Sequence, residues 1–536
     1  MQQPKTHRQF RYRRSPDQDA TTTAHHPVVV IGAGPIGQSL AIDLAQRGIA
    51  VVLLDDSDRI GDGSRAICFS KRTLEIFDRL GVAAPMLGKG VEWRKGRVFH
   101  RDRELYSFDL LPEPGHKMPA FINLQQYYAE EYLIERATTL EHIDIRWRNR
   151  VTNVTQTDGV AELTIDTPDG PYLITADWVV ACDGARSPTR GMLGLAFEGE
   201  QFEDQFLIAD VKMTAAFPTE RWFWFEPPFH NGQSALLHKQ PDDVWRIDLQ
   251  LSADADSEYE RRPEVVRPRI ARMLGHDDFE LEWISIYRFQ CRRLKSFVHG
   301  RVIFAGDSAH QVSPFGARGA NSGIQDAENL AWKLALVTRG DAPASLLGTY
   351  DTERSEAADE NILNSTRATD FIAPHSPAEM SLRNAALALA GRSDFAKRFV
   401  NPGRLSLPTS YADSPLSTPD VDTWGGGPRP GAPLPDAPLR AANGESIFLT
   451  DALGSSFTLI AINAEAPEGL ADDVAVLPVG RDQVFTDADG LVERRFDGGD
   501  GAFYLVRPDS HIAARWRTFD PAQFNAALAR AKGGSR

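Results

Sequence analysis

The chain opens on a polar stretch over 1–26, basic at Lys5, Arg8, Arg11, Arg13 and Arg14, with no apolar segment behind it. That pattern is not a secretory signal and predicts a disordered or docked arm. Val28-Val29-Val30-Ile31 is a β-branched run suited to a strand buried on both faces. Past a glycine-rich turn, Ser39-Leu40-Ala41-Ile42-Asp43-Leu44-Ala45 carries apolar residues at helical spacing, and Gly48 follows as a C-cap. Val51-Val52-Leu53-Leu54, closed by Asp55, is a second strand and completes a βαβ unit. Helices are predicted over 71–80 and 125–140. Residues 143–180 alternate like a small antiparallel ribbon ending in Trp178-Val179-Val180-Ala181. Period-two segments such as 245–251 predict a sheet across 200–290. Residues 301–340 read as strand, glycine-rich turn and a long helix beginning near Ser322. Pro, Ser, Gly and Asp dominate 401–440, the composition of a linker, and 441–536 regain strands and helices as a separate domain.

Composition narrows the classes of partner. The 536 residues carry a formal charge of −15, so nucleic acid is excluded as an expected partner. No apolar run approaches the roughly 20 residues that span a bilayer. Cys68, Cys182 and Cys291 share no CxxC spacing, so neither a zinc site nor a disulfide framework is expected, in keeping with a cytoplasmic protein.

The turn after the first strand is Gly32-Ala33-Gly34-Pro35-Ile36-Gly37, a GxGxxG between strand and helix with an acid at the end of the next strand. That context is what a dinucleotide site requires. Gly32 permits the tight turn, Gly34 lets the backbone approach a pyrophosphate, and Gly37 lets helix and strand pack closely. Pro35 and Ile36 open a helix whose N–H groups face the diphosphate. Asp55 is placed to accept both hydroxyls of an adenosine ribose. The fingerprint alone does not separate NAD from FAD.

Two later segments do. Trp178-Val179-Val180-Ala181-Cys182-Asp183-Gly184-Ala185-Arg186-Ser187-Pro188-Thr189-Arg190 resembles the DG motif of flavoprotein aromatic hydroxylases, and Gly300-Arg301-Val302-Ile303-Phe304-Ala305-Gly306-Asp307-Ser308-Ala309-His310 resembles their GD motif. With the fingerprint, in this order, they make residues 27–370 similar to the group A FAD-dependent monooxygenases of the para-hydroxybenzoate hydroxylase fold. The resemblance implies an α/β fold: a Rossmann-like FAD-binding domain interleaved with an antiparallel-sheet substrate domain. It also implies NADH or NADPH as reductant, O2 as co-substrate, a flavin C4a-hydroperoxide and a phenolic substrate. It places Asp307 on the ribityl chain, Asp183 beside FAD and NAD(P)H, Arg65 at the diphosphate, and Gln126, or its neighbour Gln125, against FAD. Pro314-Phe315-Gly316-Ala317-Arg318-Gly319-Ala320-Asn321 would line the isoalloxazine, with Pro314 near the carbon that binds oxygen.

Domain boundaries follow from these segments. FAD binding is expected from 27–190 and 291–370, substrate binding from 191–290, a helical segment and linker from 371–425, and a C-terminal domain from 426–536. Phe448-Leu449-Thr450-Asp451-Ala452-Leu453-Gly454 and Phe457-Thr458-Leu459-Ile460-Ala461-Ile462 resemble the thioredoxin-like domain appended to phenol and polyketide hydroxylases; no cysteine lies beyond Cys291, so it is a cap without disulfide chemistry, in an expected homodimer. The substrate stretch offers Trp222, Phe223, Trp224, Phe225, His238, Trp245, Arg246 and Tyr287 as an aromatic wall. Arg246 is a candidate for binding a carboxylate, and Tyr287 or His238 for relaying a phenolic proton. Oxidative removal of a nitro or chloro group from a phenol or catechol is an alternative by the same chemistry. Trp222-Phe223-Trp224-Phe225-Glu226-Pro227 also resembles the WxWxIP signature of flavin-dependent halogenases, with Lys71 the available lysine, but the surroundings of Lys71 do not match that family.

Overall fold

The computed structural model describes residues 8–61, 66–157, 159–230, 233–400, 407–481 and 483–534. The β-branched run lies at the centre of an eight-stranded sheet. Ala24–Ile31 pairs in parallel with Val51–Asp55 on one side and Tyr172–Ala181 on the other. Val302–Phe304 and Ile143–Trp147 extend the sheet outward, also in parallel. Strands covered on both faces need no alternation, which is why 28–31 and 51–54 read as unbroken apolar runs. The position of Ile143–Trp147 corrects the expected ribbon. Antiparallel pairing holds for Arg150–Thr157, Val160–Asp166 and the start of Tyr172–Ala181, whereas Ile143–Trp147 joins a strand about 90 residues away. Nothing local in so short a strand names its distant partner.

A second eight-stranded sheet carries the expected substrate region. Its long strands Glu198–Lys212, Val244–Leu251 and Glu280–Arg293 are antiparallel neighbours. Lys95–His100 and Arg103–Asp109, expected with the FAD-binding part, belong here instead, because Lys95–His100 pairs in parallel with Arg221–Phe225. Alternation sorts this sheet's residues onto two faces. Leu207, Ala209, Val211, Trp245, Ile247 and Leu249 pack beneath the helix Pro263–Leu274. Phe206, Phe225, Leu236 and Phe289 face the other way, toward Phe315 and Ile372.

The docked arm closes on the first sheet, and the linker and C-terminal domain close on the helices Gly319–Arg339 and Leu346–Ile372. Phe10 stacks on Trp147 at 4.2 Å, and Arg146 pairs with Asp17 at 2.7 Å, so the described part of the arm is docked. Over 407–437 the expected linker is irregular but not loose: Tyr411 and Leu416 are buried, and Arg354 donates to the Tyr411 hydroxyl at 2.7 Å. Its composition forbids regular structure without forbidding burial. In the C-terminal domain Phe457–Ile462 is parallel to Val474–Gly480 and antiparallel to Ala502–Val506, which pairs with Ile512–Trp516. That strand order is thioredoxin-like, and Pro521–Ala531 closes it. Arg507 of this domain enters a buried charge cluster with Glu353, Lys333 and Asp509. Among the described residues, no helix is long and apolar enough to cross a membrane.

Candidate active site

The glycine-rich turn is built as its pattern requires. Gly32 has φ +103°, and a Cβ there would lie 2.5 Å from the carbonyl oxygen of Cys182. A Cβ on Gly37 would collide with the carbonyl oxygen of Gly32. At Gly34 nothing lies within 4 Å of the Cβ direction, so this N-cap position opens onto free space at the start of the helix Pro35–Gln46. Pro35 occupies the first helical position, where its missing N–H costs nothing. Ile36 wedges between Gly306 and Gly323 and so joins the fingerprint to the GD segment. Asp55 accepts from the Ala33 N–H at 2.7 Å and the Ser57 N–H at 2.8 Å. Burial pushes its carboxyl up to about 6, against those two hydrogen bonds.

The DG and GD segments meet beside this turn. Asp183 accepts from the Thr189 N–H at 3.0 Å through Oδ2, while its Oδ1 is buried without a partner. Asp307 is exposed between buried Gly306 and Ser308, the placement of a side chain that reaches outward from a fixed turn. Two supports set that turn. Arg190 donates to the carbonyls of Asp307 and Ser308 at 3.3 and 2.9 Å. Behind it, fully buried Asp326 accepts from the Gly306 N–H at 2.9 Å, His310 at 2.7 Å and Arg354 at 2.6 Å. Burial would raise the Asp326 carboxyl, but His310 and Arg354 outweigh it and hold it below its ordinary value. Arg190 and Asp326 are supports that motif reading did not single out. Each acts through the backbone of a motif residue, so only its distance to that backbone reveals it.

Other expected cofactor residues divide. Arg65 lies outside the described residues. Gln126 accepts from the Ala66 N–H at 3.0 Å and donates to Glu130 at 2.7 Å, so it anchors the adjoining loop. Gln125 is buried and donates to the Pro241 carbonyl at 3.3 Å. The long helix runs Gly319–Arg339, three residues earlier than expected at Ser322, because small Gly319 and Ala320 form its first turn without a capping side chain. Pro314 is exposed, and its carbonyl accepts from the Ala317 N–H at 3.1 Å in a tight turn with φ +97° at Gly316. Asn321 faces inward: it accepts from the Ser70 N–H at 2.9 Å and donates to the carbonyls of Cys68 at 2.9 Å and Ala317 at 2.6 Å. Its amide therefore ties the turn to a neighbouring strand and is not directed at a cofactor.

A cavity with about 700 Å³ of empty space, mouth included, opens against this turn. Phe223 and Phe225 line it from the sheet, Phe315 and Gly316 from the turn, and Ala368 and Ile372 from the helix Leu346–Ile372. The expected aromatic wall is thus split by alternation. Trp222, Trp224 and Trp245 point to the opposite face and pack with Phe217 and Phe229. His238, Arg246 and Tyr287 share the cavity's face of the sheet but lie outside its lining. Arg246 donates to both oxygens of Asp210 at 2.8 and 2.9 Å, which commits it to a buried ion pair. Burial, with Arg221 and Arg246 nearby, holds His238 well below its ordinary value and keeps the ring neutral.

A glycine turn, a free helix N-terminus, a ribose-height carboxylate and an orphaned Asp183 oxygen suit a dinucleotide with a flavin at its far end. Comparison with known proteins agrees. Residues 25–365 match the family model described as "FAD binding domain". The chain is 31% identical over 510 residues to a "Flavin-dependent monooxygenase" of Mycobacteroides abscessus, covering 90% of this chain and 96% of that protein. The chain belongs to the flavin-dependent monooxygenases. It is also 34% identical over 336 residues to a "Probable NADH-specific resorcinol 4-hydroxylase" of Rhodococcus jostii, 61% of this chain and 62% of that protein. The crystal structure of the flavin-dependent monooxygenase PieE with FAD and substrate shares its fold, with a TM-score of 0.80 at 22% identity, covering 95% of this chain and 99% of that one. FAD is the cofactor of this monooxygenase. The halogenase-like segment is committed to packing and pairing: Trp222 and Trp224 are partly buried against the core, Lys71 is paired with Glu75, and Glu226 is paired with Arg383 at 2.5 Å.

Proposed function

We propose that this monooxygenase hydroxylates a phenolic ring, with NADH or NADPH as reductant and O2 as oxygen source. The observation that carries the reading is the aromatic cavity closing on the Pro314–Arg318 turn next to the dinucleotide cradle. NADH gains support from the NADH-specific resorcinol hydroxylase among the relatives. When bound, FAD would supply the redox chemistry that carries electrons from the nicotinamide to O2. The chain's own residues hold and shield it. Asp55 would accept the ribose hydroxyls, the Pro35–Gln46 N-terminus would face the diphosphate, and Asp307 would reach the ribityl chain from a turn held by Arg190 and Asp326. The first-turn N–H groups of Gly319–Arg339 would favour negative charge placed at that helix start. Phe223, Phe225 and Phe315 exclude water and hold the substrate ring close. Neutral His238 is too weak a base to hold the phenolic proton and lies outside the cavity lining, so it has no part in relaying that proton.

The test is a screen of phenols for stimulated NADH consumption, followed by turnover under labelled oxygen gas. One labelled oxygen per product is expected. Unlabelled product would turn the reading toward a dehydrogenase or oxidase.

A further inference from the structure

The cavity wall carries three arginines and no acid. Two are engaged elsewhere. Arg97 donates to Glu220 at 2.5 Å and Glu104 at 3.0 Å, and Arg318 donates to Asn361 at 3.1 Å. The third, Arg221, makes no hydrogen bond and closes no ion pair among the described residues. It sits on the same strand face as Phe223 and Phe225, so its guanidinium shares the aromatic cavity. Burial holds it below its ordinary value, the mark of a cation short of counter-charge.

Its surroundings leave it that way. Cys68 stays a thiol, pushed up to about 11 by burial. Asp210 is taken by Arg246. Asp248 is close enough to influence Arg221 yet closes no salt bridge with it; its Oδ1 is buried without a partner, and burial raises its carboxyl to about 6. His238 Nδ1 is also buried without a partner on this face. Arg221, Asp248 and His238 are therefore polar groups with bonding capacity unused, beside an apolar slot. Burying such groups is costly unless a partner arrives.

We propose that Arg221 is a specificity anchor that receives an anionic oxygen substituent of the aromatic substrate, a carboxylate being the group whose two oxygens match the guanidinium fork. The substrate class is then an aromatic acid bearing a phenol, its ring between Phe223, Phe225 and Phe315. The inference rests on the cavity being the substrate site of the hydroxylase.

The test uses the FAD-loaded full chain without reductant, so that binding is read apart from turnover. Hydroxybenzoates and hydroxyphenylpropionates are titrated against their primary amides, with flavin absorbance and tryptophan fluorescence as readouts. A charge-assisted pair is worth about 1.5–3 kcal/mol, so carboxylates should bind on the order of 10- to 100-fold tighter than amides. Arg221→Met should erase that preference while changing amide affinity less than about threefold. Arg221→Lys should keep part of it, and it supplies the reading if the Met variant fails to load FAD. Equal binding of acid and amide by the natural chain, or a preference that survives in Arg221→Met, overturns the anchor. Hydroxylation of a neutral phenol with no carboxylate preference would remove the anchor and leave the hydroxylase standing. A carboxylate preference without oxygen incorporation would do the reverse.

Discussion

Replacing Arg507 by Met should loosen the C-terminal domain and the flavin-binding part together. Arg507 donates to Glu353 at 2.6 and 2.9 Å and to Asp509 at 3.0 and 2.5 Å, and all three side chains are essentially without solvent contact. Two carboxylates thus share two cations, Arg507 and Lys333, the latter 2.7 Å from Glu353. Methionine fills much of the volume but leaves one cation for two buried negative charges. Breaking a buried pair from one side costs about 3–5 kcal/mol. Asn329 and Ser414 still donate to Glu353 at 2.7 and 2.6 Å, and Trp332 to Asp509 at 3.0 Å, which favours the lower end, about 3 kcal/mol. Burial alone would raise Glu353, but Arg507 and Lys333 outweigh it and hold the carboxyl far below its ordinary value of 4.5. A depressed acid contributes stability that is complete above that ordinary value and is lost as pH falls below it. The variant's deficit should therefore be complete above pH 4.5 and shrink on acidification below it, where the natural chain loses the same contribution. Urea unfolding, followed by tryptophan and flavin fluorescence, reads both effects. Arg507→Met, Glu353→Gln and the double variant form a cycle whose coupling should exceed about 1 kcal/mol. A loss below about 1 kcal/mol, additive singles, or a C-terminal transition that leaves flavin fluorescence unmoved would refute the coupling of the two parts.

Other outcomes can be stated more briefly. Asp55 has its folded value raised to about 6, so in the apoprotein it is increasingly protonated as pH falls through that point and loses an acceptor for the ribose hydroxyls. FAD affinity should drop about tenfold between pH 7 and 5, and Asp55→Asn should bind weakly with a flat profile, measured by fluorescence titration. Gly37→Ala should abolish FAD loading, because its Cβ meets the Gly32 carbonyl and neither backbone can retreat without opening the turn; normal flavin content in the purified variant would contradict this. Asn321→Ala leaves the buried Ser70 N–H unpaired, at about 1–3 kcal/mol, and should raise peroxide release per NADH consumed as the turn loosens. Unchanged thermal stability and coupling would show the amide to be dispensable.

Much of the cofactor site was legible because its constraints are local. A strand, a tight turn and a helix start occupy consecutive residues from Val28 to Gln46; Gly32 and Gly37 answer contacts within that unit or one strand away, and Gly34 leaves open space at the helix start. The order of the three motifs then identified the cofactor as FAD. The substrate face was half legible. Period-two alternation over 221–225 already separates Phe223 and Phe225 from Trp222 and Trp224, but not which set faces the cavity. That choice belongs to the helices on either side, one covering the tryptophans and the other leaving space above the phenylalanines.

Arginine roles were decided by tertiary structure alone. Arg246 and Arg221 are both arginines in strands, and the strand pattern treats them alike. Register places Arg246 opposite Asp210 and leaves Arg221 beside an acid that it does not reach. The same holds for Lys95–His100, which joined the second sheet through a parallel pairing across more than a hundred residues, and for Arg507, whose partner Glu353 lies on a helix of the FAD-binding part. Sequence by itself determined the βαβ unit, the cofactor and the family, since these depend on neighbours along the chain. Which side chains end up paired and which remain open to a substrate depends on contacts between distant strands and helices, and only the folded chain decides that.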